Sequence, residues 1–335
     1  MKMKLYIIQT GCTKVPYGQF FGGLEGWSGL KGKFKFATDK KHYILVPINC
    51  FLIDHPSAGP ILVDTGINWE QARKHKEYYT GLTGLVTDED EYVLQPEEEI
   101  NMQLQALGYQ CRDVQNVILT HLHEDHIGGL KYFPQAKVLV SSPEWLSRHK
   151  KFLGVIPQVY PKSIAMIADL EIISYSSGQF HSFPASRDVF GDGSIVLLPT
   201  PGHSSGHLSV LLQGGDYQVL LCGDSLYTLR HLAVEQVRSI ILDASWTEDY
   251  IRSIRLTQEL HKALPELVLI PGHDPTEYHN EYLKAFFRDG ILAPEELKAI
   301  KKYEKKLLPG DYHLPQEALP EFLPAAGGGT VGSIK

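Results

Sequence analysis

The chain has 335 residues, 43% hydrophobic and 21% charged, the composition of an ordinary globular protein with a sizeable core. A net charge of −7 with no long basic block argues against a nucleic-acid groove, and no apolar run is long enough to span a bilayer. Four scattered cysteines, Cys12, Cys50, Cys111 and Cys222, have no framework spacing, so reduced thiols in a cytoplasmic protein are expected.

In chain order, residues 1–10 read as a first strand, since two lysines and a very short apolar run do not make a signal peptide. Residues 17–36 are rich in Gly and aromatics, including Phe20, Phe21 and Trp27, and form a loop that either walls an apolar pocket or packs on a sheet. Residues 44–65 read as strand, and 70–95 as a polar, Tyr-rich connection with a solvated acidic patch at Asp88, Glu89, Asp90 and Glu91. Pro96 with Glu97, Glu98 and Glu99 starts a helix that runs through Leu107 and ends at Gly108.

The next apolar run, Val117 to Thr120, leads into His121-Leu122-His123-Glu124-Asp125-His126. Imidazoles and a carboxylate at this density are the ligand chemistry of zinc and similar divalent ions. His121 and His123 alternate on an extended segment and can face one ion, whereas Asp125 and His126 face a neighbouring position, so the spacing suggests two adjacent metals. Residues 141–191, with several prolines, read as an irregular insertion beside the site.

The same context then repeats. Ile195–Gly202 leads into His203, Val219–Gly223 into Asp224, and Leu267–Gly272 into His273. Each is a short apolar run broken by Gly or Pro, with a ligand-type residue just past its end. Strand ends gathered at one sheet edge are where α/β proteins place their chemistry. Cys222, although close to Asp224, reads as a small core residue. Beyond His273, Leu297, Ile300, Tyr303 and Leu307 form one helical stripe with lysines largely elsewhere, and residues 325–335 have the composition of a flexible tail.

Together, the His121–Gly129 run, Thr200–His207, Leu220–Asp224, Ile270–Asp274 and Ile61–Gly66 resemble the metallo-β-lactamase superfamily, in order, from about residue 44 to about residue 280. The resemblance implies an α/β fold, the four-layer αβ/βα sandwich of two mixed β-sheets flanked by helices, over residues 1–280. A helical extension over 281–324 would pack on it. It also implies that His121, His123 and His203 bind one metal, that Asp125, His126 and His273 bind a second, and that Asp224 bridges them. The pair is expected to be zinc, with iron, manganese or cobalt as alternatives, and a bridging hydroxide would attack an ester carbonyl. Asp64 would orient a ligand imidazole or the backbone of the His-rich loop, and His207 would be a buried hydrogen-bonding residue rather than a ligand.

Tyr227 follows Asp224 by three residues, as in the N-acyl homoserine lactonase branch, where such a phenol is placed on the carbonyl oxygen. Tyr227 and Asp125 are thus the expected catalytic pair, with Asp125 or a metal-bound water protonating the leaving alkoxide. The substrate would be a small lactone or ester, with no nucleic-acid or membrane partner, and the sequence leaves the assembly open, a homodimer being one alternative. Glu124 departs from that branch, whose members often carry Phe there, and argues against a greasy acyl channel at that wall. A different lactone, such as a pyridoxolactone-like ring, also fits. A glyoxalase II-like thioesterase would use the C-terminal lysines to hold glutathione, and a phosphodiesterase would use the same metal ligands.

Overall fold

The computed structural model describes residues 3–16, 43–81, 83–86, 91–152, 155–214, 217–233 and 244–308. The aromatic loop 17–36, the acidic patch at 88–90 and the tail 325–335 lie outside the described residues.

The first sheet is built from β1 (Lys4–Pro16), β2 (Tyr43–His55), β3 (Gly59–Val63), β4 (Tyr92–Val93), β5 (Asn116–Ile118), β6 (Lys137–Ser141) and, after a short hairpin of β7 (Lys151–Phe152) and β8 (Ile156–Pro157), β9 (Asp169–Ile173). Its spatial order is β4-β1-β2-β3-β5-β6-β9, with β3, β5, β6 and β9 parallel and the rest antiparallel. The second sheet runs β10 (Arg187–Asp188), β11 (Ile195–Pro199), β12 (Leu208–Gln213), β13 (Gln218–Gly223) and β14 (Leu267–Pro271), the last pair parallel.

Alternation of side chains along each strand decides the layering. Phe51, Ile53, Ile61, Val63, Ile118 and Leu139 face the second sheet and form one core with its buried apolar residues, including Leu197, Val210 and Leu220. Their neighbours Cys50, Leu52, Leu62, Val117, Val138 and Val140 face the other way, onto Ile100 and Leu104 of the helix Ile100–Ala106. On the far side, Tyr250, Ile254 and Leu260 of the helix Ala244–Ala263 join the first core, as do Leu297, Ile300 and Leu307 of the helix Pro294–Leu307. The result is the four-layer arrangement of two mixed sheets flanked by helices, with Cys222 fully buried in its core.

Two local expectations are corrected. The single helix from Pro96 is instead a 3-10 turn, Pro96–Glu98, followed by the helix Ile100–Ala106, because Glu99 is extended with ψ 144°. Its carboxylate accepts from Trp69 N–H at 2.7 Å and from the Tyr132 hydroxyl at 2.8 Å, a tertiary demand that the local pattern does not reveal. The segment 141–191 is not irregular throughout. It contains the helix Ser142–Ser147 and the parallel edge strand β9, whose exposed Asp169 and half-buried Glu171 interrupt its apolar pattern.

Candidate metal centre

The loops after β3, β5, β11, β13 and β14 meet at one edge of the two sheets. Backbone bonds join them: Asp64 N–H to Ile118 O, Thr65 N–H to His126 O, Leu208 N–H to Thr120 O and Gly272 N–H to Gly223 O, at 2.7–3.0 Å. Gly128 and Gly129, which close the His-rich run, allow this approach. A Cβ on them would lie 2.0 Å from Gln71 Oε1 and 2.3 Å from Thr65 O respectively, so no side chain fits without displacement.

The seven expected ligand residues come together in two groups. His121 Nε2, His123 Nδ1 and His203 Nε2 form a triangle with sides of 2.9, 3.0 and 2.8 Å. Asp224 Oδ2 closes it, 3.2 Å from His203 Nε2 and 3.9 Å from His121 Nε2. The second group is Asp125 Oδ2, His126 Nε2 and His273 Nε2, with carboxylate-to-ring separations of 3.8 and 3.4 Å. Asp224 Oδ1 faces that group, 3.3 Å from His126 and 3.1 Å from His273. One buried carboxylate therefore presents a different oxygen to each group.

The surrounding partners fix which ring nitrogen faces inward. His273 Nδ1–H donates to the Pro47 carbonyl at 2.7 Å, and His126 Nδ1–H to Asp64 Oδ2 at 2.8 Å. The Thr120 hydroxyl donates to Asp64 Oδ2 at 2.8 Å and so accepts from His121 Nδ1–H at 3.0 Å. Each of these rings is left with an Nε2 lone pair aimed at the cluster. Asp64 also accepts from Thr120 N–H at 2.8 Å, so it holds both a ligand-type ring and the loop backbone. Its backbone stands at φ 60°, a left-handed conformation in which Asp is tolerated better than most residues. His207 is committed elsewhere: its Nε2 accepts from Asp224 N–H at 2.9 Å and its Nδ1–H donates to Thr200 Oγ1 at 2.8 Å. The Pro47 carbonyl carries no signal that a sequence could give.

Lone pairs converging this closely repel unless a positive charge lies among them. Burial, reinforced by the rings of His126, His123 and His203, holds His121 well below the usual histidine range. Burial also lowers His123. At His126 burial opposes charge as well, but Asp224, Asp64 and Asp125 outweigh it and raise the ring well above that range. His273 is raised in the same way, chiefly by Asp224. Burial alone would raise Asp224, yet His273, His126 and His203 keep it well below the usual carboxylate range. His126 Nε2 is buried with no hydrogen-bond partner among the described residues. Mixed N/O donors in a field that demands positive charge fit divalent metal ions.

Tyr227 stands across the two groups, its ring 5.8 Å from that of His203 and 5.5 Å from that of His273. Its hydroxyl is 3.4 Å from His203 Nδ1. With His203 Nε2 directed into the cluster, Nδ1 carries the proton and donates to the hydroxyl oxygen. A cavity of about 250 Å³ opens over this face, and its lining includes Tyr227, Asp125, Glu124, Tyr79 and Tyr160. Glu124 reaches into the wall, where Oε1 accepts from Tyr160 N–H at 3.0 Å and Oε2 from Ser163 Oγ at 2.7 Å and Gln71 Nε2 at 3.1 Å. Burial pushes its carboxyl up to about 7.

A model of the metallo-beta-lactamase superfamily matches residues 43–285. The chain is 28% identical over 244 residues to the N-acyl homoserine lactonase AttM of Agrobacterium fabrum, covering 70% of this chain and 84% of that enzyme. It is 30% identical over 237 residues to a probable metallo-hydrolase of Mycobacterium tuberculosis, covering 66% of this chain and 72% of the relative. Among solved structures, an N-acyl homoserine lactone hydrolase with N-hexanoyl-L-homoserine bound at its catalytic metal centre superposes with a TM-score of 0.64 at 25% identity, over 82% of this chain and 94% of that one. The chain belongs to the metallo-beta-lactamase superfamily, as a hydrolase that resembles its N-acyl homoserine lactonases.

Proposed function

We propose that the protein is a dinuclear metal-dependent lactonase that opens N-acyl homoserine lactones. The observation that carries this reading is the pair of donor groups meeting on the two oxygens of Asp224 with Tyr227 above both. His121, His123 and His203 would hold one ion and Asp125, His126 and His273 the other, with Asp224 shared. Zinc is the proposed metal, and the same donors accept iron, manganese or cobalt. Such ions, when bound, supply a water that deprotonates near neutral pH and a Lewis acid for the carbonyl.

The chain's own residues do the rest. Tyr227 donates its O–H to the carbonyl oxygen as negative charge develops there. Asp125 is the most open of the carboxylates, with 17% of its side chain exposed against 4% for Asp224 and 2% for Asp64. Its Oδ2 belongs to the second donor group, and Oδ1 would take the proton that the attacking water gives up and pass it to the departing ring oxygen as the acyl–oxygen bond breaks.

The pocket favours a neutral substrate. Its described lining includes no Lys or Arg, so no side-chain cation there is placed to hold the anionic groups of a glutathione thioester or a phosphodiester. The C-terminal lysines are not part of that lining, and Lys301 is engaged with Glu304 and the Leu267 carbonyl. Glu124 and the tyrosines beside it suit a short or oxygen-bearing acyl chain better than a long aliphatic one. No helix among the described residues is long and apolar enough to cross a membrane, in keeping with a small diffusible substrate. The four cysteines are free thiols, which supports a reducing, cytoplasmic setting.

The test is pH-stat hydrolysis by metal-replete protein of short- and long-chain acyl homoserine lactones, γ-butyrolactone, S-lactoylglutathione and bis-p-nitrophenyl phosphate. Lactone opening that is fastest with short chains is expected. Cleavage of the thioester with the lactones untouched would replace this reading with the thioesterase.

A further inference from the structure

Glu144 is a buried carboxylate, 3% exposed, that none of the chemistry above uses. It lies at the third position of the helix Ser142–Ser147, whose N-cap Ser141 accepts from Glu144 N–H at 3.3 Å. Glutamate at this position commonly bonds back to the N-cap N–H. Here the carboxylate leaves the helix instead. Oε1 accepts from the N–H of Leu122, the residue between His121 and His123, at 3.1 Å. Oε2 accepts from the hydroxyl of Ser204, the residue after His203, at 2.7 Å, and from Gly206 N–H at 2.9 Å. Ser141 Oγ holds the Gly206 carbonyl from the other side. A Cβ at Gly206 would lie 2.0 Å from Glu144 N and 2.5 Å from Ser141 Oγ, so the contact requires glycine.

One carboxylate thus ties together two loops that come from different sheets, touching a neighbour of each histidine in the first donor group. The second group has separate supports, Asp64 behind His126 and the Pro47 carbonyl behind His273, and Glu144 touches neither. A neutral amide accepts with one oxygen only and leaves either Leu122 N–H or Gly206 N–H without an acceptor. We infer that Glu144 is a positioning residue that sets the spacing of the His121–His123–His203 group and so governs one ion of the pair. This rests on the two-ion reading above.

The test competes zinc-loaded protein against a graded chelator series and reads zinc retained per chain by elemental analysis, with the melting temperature measured in parallel. Wild type should hold two ions. Glu144→Gln should release one of them at about 10- to 100-fold lower chelator strength and keep the other. Adding His273→Ala should strip the ion that remains. Ser204→Ala removes one of the three bonds at less risk to folding, and should weaken the same ion by a smaller factor. Parallel weakening of both ions, or no change in either variant, would overturn the inference. A wild type that holds fewer than two ions would overturn the two-ion reading itself, and the inference with it.

Discussion

Replacing Asp64 by Asn keeps the size of the side chain and a residue type that tolerates the φ of 60°, and changes only what the group can accept. The carboxylate accepts three hydrogen bonds at 2.8 Å, from Thr120 N–H, from the Thr120 hydroxyl and from His126 Nδ1–H. An amide has one orientation with its oxygen toward Thr120 N–H, and its NH₂ then meets His126 Nδ1. The imidazole must move its proton to Nε2, the atom that faces Asp224 Oδ1 at 3.3 Å, and loses the lone pair a metal needs. In the flipped orientation the NH₂ opposes Thr120 N–H, leaving a buried donor without an acceptor at about 1–3 kcal/mol. The first orientation costs the second donor group its His126 lone pair, and the second unpairs the Thr120 backbone that leads into His121. Asp64→Asn should therefore lower metal retention by about 10- to 100-fold. The metal-free protein should melt only a few degrees lower, at about 1.4 °C per kcal/mol for a chain of this length, from roughly 2.1 cal/mol/K of unfolding entropy per residue. Asp64→Ala should be worse on both counts, since it loses all three bonds and places Ala in a left-handed conformation. The assay is chelator competition with thermal unfolding of the stripped proteins. An Asp64→Asn protein that keeps its metal at wild-type chelator strength would refute the tautomer reasoning.

Two further outcomes follow from the site and its surroundings. Tyr227→Phe removes the donor over the cluster and, on the donor groups, only the long 3.4 Å contact to His203 Nδ1, so kcat should fall on the order of 10²-fold while metal content stays near the wild-type level, as steady-state kinetics with elemental analysis would check. His279 is fully buried, and burial, with Lys284 and His273 nearby, lowers its pKa to about 4. Since the folded pKa is depressed below the unfolded value of about 6.5, its contribution is present above pH 6.5 and lost as pH falls toward 4. Urea unfolding at pH 7 and pH 5 should show about 2 kcal/mol of lost stability from this group, and the same comparison in His279→Gln should lack that increment. Equal pH slopes in the two proteins would contradict the assignment.

The residues of the two donor groups were legible in the sequence because chemistry and local structure coincide there. His121, His203, Asp224 and His273 each follow an apolar run past its end, so strand periodicity and ligand type point to the same edge. Asp64, His207 and the buried Cys222 were readable for a related reason, each lying within a few residues of such an exit or on the run itself. The helix break at Glu99 was not readable, because its cause is a pair of donors from Trp69 and Tyr132, about thirty residues away on either side. Strand β9 was obscured because an edge position leaves Asp169 exposed and Glu171 within reach of Lys137 and Arg187, which erases the apolar signature of a parallel strand. Glu144 was hidden by its own context. Ser141 with Glu144 three residues on has the sequence pattern of an ordinary helix start, and only the fold shows that its acceptors serve Leu122, Ser204 and Gly206 instead.

The account stands on Asp224 as the carboxylate common to both donor groups. The most direct measurement is the initial rate of acid release from N-hexanoyl homoserine lactone by zinc-loaded wild type and by Asp224→Ala, with bound zinc counted in each. Rapid ring opening by wild type, with both turnover and zinc lost in the variant, is the predicted result. A variant that still opens the lactone at the wild-type rate, or a two-zinc wild type that leaves it intact, would contradict the central claim.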